Sequence, residues 1–294
     1  MSDHPILIDS PNEIVKKLGI PDMTEQMGDF IDNQIIMSRR TDQGGCADEI
    51  LGPQGTGKTS LMLSYACRIM EENPDETIIW KDSYQSPCMF NRVNNWQIYA
   101  EIGTDLEFRD IYKDEILELP ITYFKDYYQL EKQLSSQQLN VVYVKNEIIG
   151  YIKLLNFFRR RSGWQSIFID EYEDIAPINE SGDYYKLIGA LGKNIKNIRK
   201  GLVSLFCNTQ DKGSIDWRVR PKFMCYTYLP GAVVDSNSEV YQQAVNALSV
   251  GQGFVSWYGK FGKILFPPFT PKDTVFEAID KNKPDDLDIL LKKI

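Results

Sequence analysis

Histidine is nearly absent from this chain: His4 is the single one among 294 residues. That excludes a histidine-based catalytic triad and any multi-histidine metal centre. Cysteine is sparse and unpatterned. Cys46, Cys67, Cys88, Cys207 and Cys225 form no C-x-x-C pair, and their odd number favours free, mostly buried thiols in a reducing compartment. No apolar run approaches the roughly 18 residues that a membrane span needs. The opening Met1-Ser2-Asp3-His4-Pro5 lacks the basic region and apolar stretch of a signal peptide. A cytoplasmic protein is therefore expected, in the host cytoplasm or the virion if a virus encodes it. Positive charge is also in deficit, with 33 Lys and Arg against 41 Asp and Glu and a net charge of −8. This excludes a protein that coats nucleic acid with its whole surface, but it leaves room for a local basic track.

What is present begins with Gly52-Pro53-Gln54-Gly55-Thr56-Gly57-Lys58-Thr59-Ser60. The stretch follows an apolar lead-in (Ile50, Leu51) and opens a run with helical spacing: Leu61, Met62, Leu63, Ala66, Ile69, Met70. It fits G-x-x-x-x-G-K-[ST] in the strand–turn–helix context that a P-loop requires. Glycines let backbone N–H groups close around a phosphate, and the helix N-terminus adds donors and positive potential. Lys58 is expected to reach the β- and γ-phosphates, and Thr59 to offer its hydroxyl to Mg²⁺. The helix should run from Lys58 to about Glu72, stopped by Asn73-Pro74.

A hydrophobic fraction of 43% suits one sizeable α/β domain with an insertion or appendage. Asn12–Leu18 reads as a short helix ended by Gly19, while Asp29–Met37 fits strand or helix equally. Strands are expected at Thr77–Trp80, Val141–Val144, Trp164–Ile169, Leu202–Cys207 and Met224–Leu229. A helix should follow Ile148, and positions 184, 187, 188, 191, 195 and 198 make another helical stripe. Gly253–Phe266 reads as a hairpin, and two short helices should close the chain, the last from about Pro284. Residues 84–139 look like an insertion. Trp96, Tyr99, Tyr123, Phe124, Tyr127 and Tyr128 within it fit either a satellite core or a base-stacking surface. Arg159-Arg160-Arg161 fits a basic last turn complementing a helix dipole, and equally a contact to DNA phosphate.

The second piece of chemistry is Ile167-Phe168-Ile169-Asp170-Glu171, which has the form of a Walker B strand. Apolar residues buried on both faces lead to two acids at the strand's carboxyl end, where ligands sit in open α/β sheets. Asp170 would hold Mg²⁺ through water, and Glu171 would orient and deprotonate the attacking water. Glu173 and Asp174 read as a solvated turn. A glutamate directly after the aspartate marks NTPases that hydrolyse through a carboxylate base. Such proteins usually carry an extra strand between the P-loop and Walker B strands, the ASCE arrangement. A Ras-like switch protein would instead rely on glutamine and an ordered switch loop, so ATP is preferred over GTP.

The third block, Arg199-Lys200-Gly201-Leu202-Val203-Ser204-Leu205-Phe206-Cys207-Asn208-Thr209-Gln210, resembles the arginine–glycine–strand–T-Q block of the FtsK–HerA superfamily of DNA-pumping ATPases. Gly213-Ser214-Ile215-Asp216-Trp217-Arg218-Val219-Arg220 is similar to the superfamily's I-D-x-R-φ-R stretch, found in HerA-like, Zot-like and viral genome-packaging members. The resemblance covers about residues 46–230. It implies a finger role in a neighbouring subunit's site for Arg199 and γ-phosphate sensing for Gln210. It further implies a homo-oligomeric ring, a hexamer by the family pattern, that hydrolyses ATP and moves double-stranded DNA by its phosphate backbone. In a packaging role, a capsid or portal-like partner would follow. The expected organisation is an N-terminal segment (1–45), an α/β P-loop ATPase core (46–230, with 84–139 inserted) and a C-terminal appendage (231–294). Two other readings remain: a regulatory or scaffold NTPase that answers to a protein partner, and a Zot-like relative acting at a membrane.

Overall fold

The computed structural model describes residues 44–282, apart from 85, 179–180, 236–239, 258–259 and 267–274. The elements expected at Asn12–Leu18, at Asp29–Met37 and from Pro284 onward lie outside the described residues. β1 (Ala47–Leu51) leads through the glycine-rich loop into α1 (Lys58–Glu72). After β2 (Thr77–Lys81) come β3 (Trp96–Glu101), β4 (Leu106–Asp110), β5 (Glu115–Leu117) and β6 (Ile121–Phe124). Next are α2 (Tyr127–Gln133), β7 (Leu139–Tyr143), α3 (Glu147–Phe158) and β8 (Gln165–Ile169). α4 (Gly182–Lys196) and β9 (Val203–Thr209) precede β10 (Cys225–Tyr228) and a short α5 (Gln242–Asn246). β11 (Gln252–Trp257), β12 (Lys260–Leu265) and β13 (Phe276–Asp280) complete the described chain.

One ten-stranded sheet runs in the order β12-β11-β10-β1-β9-β8-β2-β7-β3-β6. From β10 to β6 every pairing is parallel, and only the β10–β11 and β11–β12 pairings are antiparallel. The expected extra strand is β9, which lies between the P-loop strand β1 and the acid-bearing β8. Parallel strands are covered on both faces, so their sequences read as continuous apolar runs. Alternate residues serve alternate faces: on β8, Phe168 joins the core under α1, and Ile167 and Ile169 join the core under α3 and α4. On the α1 side the rings of Trp80, Phe168 and Phe206 stack across three adjacent strands, with centroids 5.7 and 4.6 Å apart.

Residues 84–139 take part in the main sheet, and one closing element folds differently from its sequence reading. Residues 84–139 do not stand off from the core, because β3 and β6 extend the main sheet beyond β7 in parallel. Within this region Tyr99 and Phe124 are buried and Trp96 packs edge-on against Phe90, whereas Tyr123 and Tyr128 are exposed. The first of the two closing helices is replaced by a strand: β13 pairs antiparallel with β4 in a small sheet, β13-β4-β5. Phe276 and Ala278 alternate into the core there, a period of two that suits a strand. All five cysteines are free, and all but Cys67 are buried.

β1 also buries two carboxyl groups, Asp48 and Glu49. Asp48 accepts from Thr227 Oγ1, while neither Glu49 oxygen has a hydrogen-bond partner among the described residues. Burial pushes Asp48 up to about 7, against the hydrogen bonds from Thr227 and Cys225. Burial pushes Glu49 up to about 8, with Lys212 opposing it. A carboxyl raised in the folded state favours folding fully below its unfolded pKa of about 4, and this contribution fades as pH rises toward 7–8. Glu49→Gln removes one such group. The variant should gain on the wild type across that window, by on the order of 1–3 kcal/mol at pH 8. Urea unfolding at pH 5 and pH 8 measures this; an equal stability difference at both pH values would contradict it.

Candidate active site

Parallel pairing places the carboxyl ends of β1, β2, β8 and β9 on one edge of the sheet, and the candidate residues gather there. The loop after β1 turns through Gly55 (φ 79°) and Gly57 (φ 94°), left-handed values that favour glycine. A Cβ on Gly57 would also come within 3.0 Å of Phe266, at the end of the C-terminal hairpin. Thr56 Oγ1 donates to the Pro53 carbonyl at 2.8 Å and tightens the loop. Lys58 Nζ donates to the carbonyls of Gly52 (2.8 Å) and Pro53 (3.0 Å). Burial lowers the pKa of its ammonium, opposed by Asp170, Glu173 and Glu171.

Thr59 Oγ1 lies 3.1 Å from Asp170 Oδ1, joining the first turn of α1 to the end of β8. A hydroxyl beside a carboxylate is a hard oxygen donor set, and it fits Mg²⁺ held jointly with nucleotide phosphates. Asp170 is buried, and burial raises its pKa against the hydrogen bond from Asn208 and the charge of Lys81. Glu171 follows with left-handed backbone (φ 51°, ψ 70°). Burial raises its carboxyl pKa, helped by the charges of Asp170 and Asp174. Gln54, Gly55, Gly57, Lys58, Thr59, Ser60, Asp170, Glu171 and Gln210 line one cleft of about 260 Å³. Gly52 forms the loop's base, where its N–H donates to Thr209.

Arg199 stands elsewhere. Its backbone lies in the turn Ile198–Lys200 before β9, and the seven residues of that strand separate the turn from Gln210. That length is about 23 Å. The basic triplet ends α3 on the same far edge, where Gly201 packs against the backbone of Arg159. Arg161 is committed: it pairs with Glu131 at 3.4 Å and stacks on Tyr128 and Phe157. Arg160 is exposed, and with Lys153 it lines a groove between α2 and α3.

The sequence reading of Glu173 and Asp174 as a solvated turn is corrected. Tyr172 is fully buried against Phe223, so the turn Tyr172–Asp174 folds back onto the sheet edge. Glu173 accepts from the Gln210 N–H at 3.4 Å, and Asp174 pairs at 2.6 Å with Lys81, a lysine with no exposed surface. Lys81 and Asn208 contact the Asp170–Glu171 turn directly, and sequence reasoning assigned neither a role. A lysine closing an apolar strand, with four acids clustered downstream, is the only local hint of such a pairing.

Strand order, loop and acid pair together decide the fold. It is that of an ASCE-type P-loop NTPase. No family model matches the chain, and no curated protein matches it. Among solved structures, this chain is similar to the genome packaging NTPase B204 from Sulfolobus turreted icosahedral virus 2 in complex with ATP-gammaS. The identity is 12% and the TM-score 0.48, over 76% of this chain and 98% of that one. It is also similar to the pCW3 conjugation coupling protein TcpA (10%, TM-score 0.45, 76% and 61%). A third likeness is to the N-terminal domain of zonular occludens toxin from Neisseria meningitidis (15%, TM-score 0.32, 82% and 95%).

Lys58→Ala should leave the fold intact and weaken binding of a slowly hydrolysed ATP analogue roughly 10- to 100-fold, the worth of a hydrogen bond to a charged group. Calorimetric titration with circular dichroism checks both parts, and unchanged affinity would contradict the assignment.

Proposed function

We propose that this P-loop NTPase is an ATP-hydrolysing motor subunit that moves double-stranded DNA through a hexameric ring of its own copies. The observation that carries the reading is the single cleft in which Lys58, Thr59, Asp170, Glu171 and Gln210 meet. In it, water attacks the γ-phosphate in line, and Glu171 orients the water and accepts its proton. A carboxyl pKa raised by burial strengthens Glu171 as a base. Lys58 offsets charge building on the phosphoryl oxygens, and Gln210 reports on the γ-phosphate. Mg²⁺, held by Thr59 and Asp170, would neutralise part of the phosphate charge when bound.

The DNA part of the reading is supported by the resemblance of the Arg199–Gln210 block and by Arg160 and Lys153, whose side chains make no ion pair among the described residues. These cations would meet phosphates and not bases. Long duplex DNA should therefore stimulate ATP turnover, and its affinity should fall with salt by a log–log slope of about −0.9 per phosphate contact. Glu171→Gln should bind MgATP and turn over at least about a hundredfold more slowly. Turnover that answers to a protein partner and ignores DNA would favour the regulatory alternative, and near wild-type turnover by Glu171→Gln would remove the base assignment.

The trans role of Arg199 is supported by its distance from the chain's own cleft, which is longer than an arginine spans. Arg199→Ala should bind ATP normally and lose about 10³-fold in turnover, as arginine fingers do. Mixed with Lys58→Ala, it should regain activity at sites that pair an intact Lys58 with a neighbour's intact Arg199. No recovery at any mixing ratio, in rings shown to exchange subunits, would reject the trans assignment.

A further inference from the structure

The peptide group that joins Asp170 to Glu171 is held at both ends by side chains from two different strands. Its carbonyl oxygen accepts a hydrogen bond from Lys81 Nζ at 2.9 Å. Its N–H donates to Asn208 Oδ1 at 2.8 Å. Lys81 ends β2 and Asn208 lies near the end of β9, so the two flank β8 from either side. Both are anchored. Lys81 also hydrogen-bonds Asp174 Oδ2 at 2.6 Å and lies 3.6 Å from Glu147 Oε1. Asn208 uses its amide to donate to the Asp170 carboxylate. The Lys81 main-chain carbonyl takes the Asp170 N–H at 3.1 Å, so the turn is gripped again from β2.

Stability alone does not account for Lys81. A buried ion pair recovers its desolvation cost only with excellent geometry, and apolar replacements of such groups are often neutral or stabilising. The residue it serves is in an uncommon state: Glu171 is not glycine, yet its backbone is left-handed. Rotating the 170–171 peptide changes ψ of Asp170 and φ of Glu171 together, and with them the direction of the Glu171 carboxylate.

We propose that Lys81 is a positioning residue for hydrolysis: with Asn208 it clamps the Asp170–Glu171 peptide and so fixes where the Glu171 carboxylate stands in the cleft. The inference rests on Glu171 being the base. Lys81 touches no reacting atom in this scheme; it holds the turn that carries Glu171. Misplacing a reacting group by about 1 Å can cost about 100-fold in rate, so the loss should appear in turnover and not in nucleotide affinity.

The test uses the full chain and a substitution set that removes the buried cation without orphaning its acids: Lys81→Met with Glu147→Gln and Asp174→Asn. MgATP affinity should stay within about threefold of wild type, thermal stability should be maintained, and turnover should fall roughly 10- to 100-fold. In a Glu171→Gln background the same set should lower the remaining turnover by less than about threefold, because no base is left to position. If the set fails to fold, Asn208→Ala releases the other end of the clamp and is read in the same two backgrounds. Wild-type turnover in the Lys81→Met set, or in Asn208→Ala where that is the variant read, or an equal loss with and without Glu171, overturns the proposal while the ATPase reading stands. A wild-type chain without ATP turnover, or a Glu171→Gln variant as fast as wild type, removes the base reading first and this inference with it.

Discussion

Parallel strand pairing is the constraint on which the rest of this structure depends. The eight strands from β10 to β6 pair in parallel, so the loops that follow their carboxyl ends open on one edge of the sheet. The glycine-rich loop after β1, the acids after β8, the glutamine after β9 and the lysine ending β2 share that edge for this reason alone. Reversing one of these strands would carry its chemistry to the far edge, a strand length away. Register sharpens the effect. Lys81 is opposite Ile169 and Thr209 is opposite Leu51, so the four strand ends finish nearly level.

Charge burial follows from that geometry. A level edge flanked by helices leaves little room for water, and the acids there are partly or wholly withdrawn from solvent. Asp170, Glu171 and Glu173 all have their carboxyl pKa raised by burial. Lys81 goes the other way: burial alone would lower its pKa, but Glu147 and Asp174 outweigh it and keep the ammonium charged. One buried cation among several acids keeps the turn from accumulating unopposed negative charge. The P-loop lysine, held on its own loop carbonyls, contributes a second.

The flanking regions belong to the same scaffold. β3 and β6 broaden the sheet on one side, and β11 and β12 do so on the other. Phe266, at the end of the hairpin, reaches the P-loop at Gly57. The irregular aromatic composition of 84–139 thus reflects a mixed position: rings facing α1 and the small sheet are core, while Tyr123 and Tyr128 at the margin are exposed.

The sequence by itself determined the features that depend on neighbours in the chain. Glycines at 55 and 57 can take left-handed turns, apolar spacing from Leu61 makes a helix face, and an unbroken Ile167–Ile169 run demands burial on both sides. Backbone sterics and periodicity act over a few residues, so the loop, α1 and β8 were legible, and the strand–acid order pointed to the ASCE arrangement. Only the tertiary structure decided which distant groups meet. Lys81 and Asp174 are 93 residues apart, and Asn208 and Asp170 are 38 apart. Nothing in a strand-ending lysine or a run of acids specifies its partner, because strand order across a sheet is set by packing of whole elements. For the same reason the acids after Glu171 read locally as a solvated turn, although burial of Tyr172 draws them inward.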